Sequence, residues 1–374
     1  VNRFPICFGR PPYFNARYGL EKPQRLWYSG SMKSALKILL MVLWLSILAP
    51  IAFTGAVEQE IRIAGKTMGT TYQVTVVTRH PSRQAALKEA IENRLFEINR
   101  SMSTYLEESE ISRFNGLKKI GAPFCPSRDF FSVMMQSRRL YSLTEGAWDP
   151  TVGPLVELWG FGRKPGKRAI PLSDKIVQMK QAVGFNKITL TPEGCLRKTH
   201  AALRVDLASI AKGYGVDAVA AILPKQGYQN FLVEIGGEVF VKGIRKDGKP
   251  WRIGINTPLK TASYNSIYQA VPLKSGRAMA TSGTYRIFFE QNGKTYSHIL
   301  DPRTGYPVQN GVVSVSVIAD SCTVADGLAT ALMVLGRQEG LALVERLPSV
   351  ECLIVVQDDE GKLFDFVSPG FFSS

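Results

Sequence analysis

Histidine is scarce. His80, His200 and His298 are the only three in 374 residues, which leaves little material for a multi-histidine metal site. Cysteine is nearly as rare. Cys7, Cys125, Cys195, Cys322 and Cys352 stand far apart with no C-x-x-C pair, so the usual metal-binding spacings fail. No Lys/Arg tract is interleaved with aromatics, so nothing supports nucleic-acid binding. No internal repeat of 20–50 residues is visible. The remaining composition is ordinary, 45% hydrophobic and 21% charged. That excludes a disordered chain, a collagen-like fibre and a disulfide-dense mini-protein. The length allows two domains or one large one.

The formal charge of +15 is uneven. Residues 1–56 hold seven Lys/Arg and one acid, a net of +6; the rest holds 39 bases and 30 acids, a net of +9. Such a body is moderately basic. The excess either keeps the protein soluble or attracts a phosphate-bearing ligand or an anionic membrane surface.

Residues 38–53 carry no charge, Lys33 and Lys37 precede them, and Thr54-Gly55-Ala56 follows with small residues. This is the order of a secretory signal: basic region, apolar region, cleavage site. Met32 is a candidate start, which makes residues 1–31 an upstream extension. The alternative is an uncleaved anchor, although the apolar run contains Pro50 and is short for a span of about 20 residues. Both readings divide the chain into an extension and signal or membrane segment (1–56) and one folded domain (57–374). Both place that domain in the periplasm, free or attached to the inner membrane. No cysteine near the cleavage site offers a lipid attachment atom. The four later cysteines have no spacing that demands pairing, and most are expected as buried apolar residues.

The domain mixes strands and helices without strict βαβ alternation, so the expected class is α+β with a largely antiparallel sheet. Residues 61–78 read as two strands about a glycine turn, with Tyr72, Val74 and Val76 alternating. Helices are expected over 83–99, 127–144, 174–182 and 208–223, the last preceded by a short strand at 203–207. Residues 230–243 read as a hairpin about Gly236-Gly237. Strands follow at 251–256, 267–273, 277–290, 295–300 and 312–319. Two helices at 322–335 and 337–347 and a strand at 351–357 complete the pattern.

Two familiar phosphate motifs fail. Gly65-Lys66-Thr67 resembles the end of a P-loop, but Glu60 stands where that loop needs glycine. Gly213-Tyr214-Gly215-Val216-Asp217-Ala218 fits G-x-G-x-x-A, but it falls inside an expected helix rather than between a strand and a helix. Three other segments carry chemistry. Asp326 and Thr330 are four apart on an expected helix and share a face, a carboxylate and a hydroxyl that suit Mg²⁺; the plainer reading makes Asp326 a helix cap. Asp206 stands at a strand-to-helix junction, either as an N-cap or as a ligand contact beside a helix N-terminus, with Lys212 six residues on. His298 lies at a strand end before the irregular Asp301-Pro302 loop.

Taken in order, MGTTY, MSTY, WDPTVGPLVELWGFG, VDLASIAKGYGVD, LVEIGGEV, SHILDPRTGYPV and ADGLATALMVLG resemble the ApbE family, over roughly residues 61–357. Members of that family are FAD:protein FMN transferases. The resemblance implies an exported α+β protein with a T-fold-like core. It implies FAD as substrate, Mg²⁺ as metal, and transfer of FMN to a Thr or Ser hydroxyl of a partner with release of AMP. By motif, Met68, Tyr105, Ala147, Trp148, Asp149, Asp206, Lys212 and Leu300 would contact FAD, with Tyr105 and Trp148 stacking on or walling the flavin. Asp326, Thr330 and the backbone carbonyl of Ser209 would bind the metal. His298 matches the histidine implicated in transfer, and Asp326 would share the catalytic role. The implied partners are exported acceptor flavoproteins, such as subunits of ion-pumping NADH:quinone reductases. The chain departs from many members in lacking the lipobox cysteine. Two other functions stay open on the same scaffold: a pyrophosphatase cleaving FAD to FMN and AMP, and a non-enzymatic flavin-binding protein.

Overall fold

The computed structural model describes residues 58–162, 166, 168–263 and 266–373, together with residues 37, 40 and 41. The chain divides into two units, Val1–Ala56 and Val57–Ser374. The expected signal segment lies outside the described residues. Among the described residues, no helix is long and apolar enough to cross a membrane.

An eight-stranded antiparallel sheet organises the second unit. Its strands are β1 (Gln59–Thr67), β2 (Thr70–Thr78), β3 (Asn230–Ile235), β4 (Glu238–Lys242), β5 (Arg277–Gly283), β6 (Val312–Ala319), β7 (Glu351–Gln357) and β8 (Leu363–Val367). Their spatial order is their chain order. Every neighbouring pair is antiparallel, so the class is α+β as expected. Two hairpins follow glycine signals. Met68-Gly69 connects β1 to β2 with both φ angles positive, and Gly236-Gly237 connects β3 to β4 with φ of 62° and 106°. Glycine takes positive φ without strain, and Met68 adopts it as a non-glycine residue with φ of 49°.

The helices are α1 (Gln84–Met102), α2 (Glu110–Gly116), α3 (Arg128–Leu143), α4 (Gly153–Leu158), α5 (Ser173–Lys180), α6 (Ala211–Ile222) and α7 (Cys322–Val344). In α1, Leu87, Ile91, Leu95, Ile98 and Met102 form one buried stripe. Leu87, Ile91 and Leu95 of that stripe and Val216 and Val219 of α6 pack on Val74, Val76, Phe231 and Val233 of the sheet. Leu328, Leu332 and Val344 of α7 cover Val315 and Val317 of β6. The other sheet face is covered by the paired strands Trp251–Asn256 and Ile267–Leu273. With both faces covered, β6 is buried almost continuously instead of alternating. Arg94 of α1 holds Asp129 of α3 through two bonds of 2.6 and 2.7 Å, and the Tyr214 hydroxyl of α6 donates to the same carboxylate.

The two helices expected at 322–335 and 337–347 are present as the two parts of α7, which meet at a kink where Gly336 leaves the helical conformation with φ of 77°. Asn310 Nδ2 donates to the Met333 carbonyl at 2.9 Å, satisfying a group freed by the kink.

Three expectations fail. Residues 203–207 form no strand, because the Asn115 side chain takes both backbone groups of Val205, at 2.7 and 2.8 Å. The strand expected over 277–290 breaks after Gly283 and resumes as Phe288–Gln291, paired with Lys294–Ser297. The cysteines are not mostly buried apolar residues. Cys322 and Cys352 are free and buried, but Cys125 and Cys195 form a disulfide. That bridge spans 70 residues beside the Phe124–Leu196 backbone pair, tying the lead-in to α3 to the short strand Leu196–Lys198. Cross-linking a loop of this length restricts the unfolded chain. Cys125→Ser should lower unfolding free energy by about 2–4 kcal/mol in urea titrations. Reductant should do the same to the parent and nothing further to the variant; a parent indifferent to reductant would contradict this role.

Candidate active site

A cleft of about 1070 Å³ opens where the N-terminal end of α6, the middle of α7, the β3–β4 turn and the 283–287 and 298–300 segments converge. Tyr105, Asp206, Ser209, Lys212, His298, Leu300, Asp326 and Thr330 all line it. Residues 225 positions apart in sequence thus share one wall.

The α6–α7 contact builds the floor. A Cβ on Gly213 would lie 2.4 Å from the Cys322 carbonyl oxygen, so only glycine permits this approach. The Gly213 N–H donates to Asp326 Oδ2 at 2.9 Å. In a regular helix it would donate to the Ser209 carbonyl, which is therefore left outside the ladder of α6. Asp326 is not a cap. It is buried in the second turn of α7, whose N-cap is Ser321. Asp217 of α6 reinforces that cap by accepting from the Cys322 and Thr323 amides and from the Ser321 and Thr323 hydroxyls.

The Thr330 hydroxyl meets the Ser282 hydroxyl at 2.9 Å. Asp326 and Thr330 bring a carboxylate and a hydroxyl oxygen to the cleft, and Ser209 lines it as well. This chemistry fits a small hard divalent cation. The Ser209 hydroxyl accepts from Trp148 Nε1 at 3.1 Å.

Lys212 is the cation of the floor. Its Nζ lies 2.7 Å from Glu238 Oε1 and 3.7 Å from Asp326 Oδ1. Burial opposes its charge, but Asp326 and Glu238 outweigh that and hold the ammonium protonated well above the usual lysine range. Burial raises the Asp326 carboxyl, with Lys212 opposing. Burial also raises Asp206, whose Oδ1 accepts from the Ala208 N–H at 2.9 Å. Asp206 therefore caps a local turn and not α6, which begins at Ala211.

His298 is half-buried. Its backbone N–H and its Nδ1 both face the Ile287 carbonyl, at 3.1 and 3.2 Å. A carbonyl only accepts, so Nδ1 carries the proton and Nε2 keeps the lone pair. Burial lowers the imidazole below its ordinary range, and Arg168 lowers it further. The ring is thus neutral and basic at Nε2 at pH 7.

Four expected residues do not line the cleft. Met68 sits in the β1–β2 turn, and its Cε occupies the space beside Gly215, 2.9 Å from where a Cβ there would be. Ala147, Trp148 and Asp149 are all buried. The expectation that Trp148 stacks on or walls a flavin is corrected: its indole is 2% exposed within the core and reaches the cleft only through Ser209. Asp149 is turned inward, accepting from the Thr151 amide and hydroxyl and the Phe185 amide. Tyr105 is the opposite case, 73% exposed at the cleft edge.

Sequence reasoning missed Glu238, Ser282 and Asn115. Glu238 has one usable signal. It shares a strand face with Phe240, so alternation puts a carboxylate on an inward position.

The sequence profile of the ApbE family matches residues 68–354. The FAD:protein FMN transferase of Vibrio cholerae is 42% identical over 323 residues, covering 85% of this chain and 95% of that protein. The protein of the same name from Haemophilus influenzae is 42% identical over 306 residues, covering 80% of this chain and 88% of that one. The solved flavin transferase ApbE from Vibrio cholerae superposes with a TM-score of 0.76 at 41% identity, covering 84% of this chain and 98% of that one. Family profile, relatives and superposed structure all span the domain that carries the cleft, and the chain belongs to the ApbE family.

Proposed function

We propose that this protein is an FAD:protein FMN transferase that uses Mg²⁺ to move the FMN half of FAD onto a Thr or Ser hydroxyl of an acceptor flavoprotein, releasing AMP. The name shared by its relatives supports flavin transfer. One observation carries the chemistry: a single cleft is lined by the Ser209–Asp326–Thr330 oxygen set and by His298.

The acceptor oxygen bonds to the FMN phosphorus, the P–O bond to AMP breaks, and the hydroxyl proton passes to Nε2 of His298. Asp326, Thr330 and the Ser209 carbonyl would hold Mg²⁺, which when bound offsets pyrophosphate charge and stabilises the oxygen leaving on AMP. Lys212 adds fixed positive charge on the floor. Tyr105 offers a flat ring at the edge for the isoalloxazine. The export reading is supported by the charge-free run after Lys37 and by the Cys125–Cys195 disulfide, a bond that persists in oxidising compartments. Acceptors such as subunits of ion-pumping NADH:quinone reductases belong to this reading, as does a site of action at the inner membrane.

Incubating the protein with FAD and Mg²⁺, with and without a Thr-containing acceptor domain, tests the reaction by mass spectrometry. The expected result is an acceptor heavier by one FMN. AMP release independent of acceptor identifies a pyrophosphatase instead, and unchanged bound FAD identifies a binding protein. Asp326→Ala should reduce transfer at least tenfold, about 1.4 kcal/mol of barrier, while retaining part of the FAD binding. Full activity of that variant at low Mg²⁺ removes the metal assignment.

The pH profile tests the base. His298 must be neutral to accept a proton, and its pKa is lowered, so transfer should fall only as pH drops below about 6.5. His298→Ala should slow transfer by about 10²–10⁴-fold, and His298→Asn should rescue little. If Asn restores activity and the acid limb survives in it, His298 merely braces the loop.

Export is read from the mature N-terminus. Sequencing protein recovered from the periplasm should begin near Val57. A full-length product that requires detergent supports a retained anchor instead.

A further inference from the structure

Glu238 is a buried carboxylate that the proposed chemistry does not use. It is 4% exposed, and its Oε2 has no hydrogen-bond partner among the described residues. A buried acceptor left unpaired costs stability, so fold stability alone is a poor reason for a carboxylate here. Its other oxygen, Oε1, holds the Lys212 ammonium at 2.7 Å.

The geometry around that ammonium suggests what Glu238 does. Asp326 Oδ2 is already occupied by the Gly213 N–H, so Oδ1 is the oxygen left for a cation. The nearest competitor for Oδ1 is Lys212, which stands 3.7 Å away on the end of a flexible side chain. At that distance the ammonium already pairs loosely with the carboxylate, and an unrestrained one would close to a short hydrogen-bonded pair. Of the two carboxylates it is Glu238 that holds the ammonium at the shorter distance, 2.7 Å against 3.7 Å.

We propose that Glu238 is a positioning residue that draws Lys212 away from Asp326 and so keeps Asp326 Oδ1 open to the divalent cation. This rests on the metal reading given above. Glu238 need not touch the metal or the flavin. Its role is to win a competition between two carboxylates for one lysine.

The competition predicts a rescue. Glu238→Ala removes the winning partner, Lys212 moves onto Asp326, and cation binding weakens. Removing the competitor as well, in Glu238→Ala with Lys212→Met, restores it. A direct metal ligand or a purely structural residue predicts no such recovery, so the double variant separates the explanations.

The test is Mn²⁺ titrated into the full chain without nucleotide, followed by the EPR signal of the free ion. Circular dichroism and a thermal melt check the fold of each variant. The expected result is one saturable site in the parent, at least tenfold weaker binding in Glu238→Ala, and recovery to within about threefold of the parent in the double variant. Unchanged Mn²⁺ binding in Glu238→Ala overturns the inference and leaves the metal reading standing. So does weakened binding in the double variant equal to that of Glu238→Ala. No saturable Mn²⁺ binding in the parent overturns the metal reading, and this inference with it. If Glu238→Ala fails to fold, Glu238→Gln serves in its place. It keeps a neutral acceptor for Lys212 but gives up the charge, and it should weaken Mn²⁺ binding by a smaller factor that the Lys212→Met change again removes.

Discussion

The site depends on two helices meeting backbone to backbone. At Gly213 the absent side chain lets α6 approach the first turn of α7 so closely that a Cβ would strike the Cys322 carbonyl. Two polar contacts follow from that approach. The Gly213 amide turns to Asp326, and Asp217, one turn further along α6, caps the amides that open α7. The first contact orients Asp326 and frees the Ser209 carbonyl in one move. The second fixes the rotation of α7, and with it the direction in which Thr330 points. Charge-assisted bonds of this kind are short and directional, so they set position as well as strength. Every oxygen donor of the proposed metal set is thus placed by one crossing, which matters because small displacements in a reacting site cost large factors in rate.

Much of the fold was legible because its signals are local. Alternation at Tyr72, Val74 and Val76, the apolar stripe of α1, the Gly236-Gly237 turn and the break at Gly336 each lie within a short window. What escaped depends on distant partners. Residues 203–207 carry an apolar pattern suited to a strand, but Asn115, ninety residues earlier, takes the hydrogen bonds a neighbouring strand would have supplied. The Cys125–Cys195 pairing likewise depends on a tertiary approach, with no spacing to announce it. β5 ends at Gly283, where the Tyr285 ring sits 2.4 Å from the place a Cβ would take, a contact made by the turn itself after the chain bends.

The site was legible to a different degree. The spacing of Asp326 and Thr330 fixed a shared helix face, Lys212 and His298 stood out from their local context, and the motif resemblance added Ser209; all of these line one cleft. Resemblance names positions without saying which atom acts. Trp148 shows the difference, because its ring is in the core and its effect on the cleft passes through one hydrogen bond to Ser209. Buried charge is the hardest feature to read. Lys198 is 1% exposed and spends its ammonium on the carbonyls of Asn115, Ala201 and Leu203. Glu238 is equally hidden. In a sequence both look like solvated surface residues, since charged side chains are rarely buried without a partner.

The two sides of the cleft are built differently, and their chemistry explains why. The floor is made from packed helices because its donors must converge on fixed charge. His298 instead stands on irregular chain beside the Phe288–Gln291 and Lys294–Ser297 pair. That pair is stiffened from behind: Phe289 stacks on Tyr296 at 5.2 Å, Tyr296 on Trp159 at 5.7 Å, and Trp159 donates to the Gly305 carbonyl at 2.9 Å. The aromatic stack supports the strands but does not enclose the histidine, whose neighbour Ile287 remains 44% exposed. In the proposed transfer, a base that serves a hydroxyl carried by another protein has to be reachable from outside. A base that must keep Nε2 unprotonated also needs a fixed tautomer. The Ile287 carbonyl meets the second need by accepting from both the His298 backbone and Nδ1, and it does so without closing the path that the first need requires.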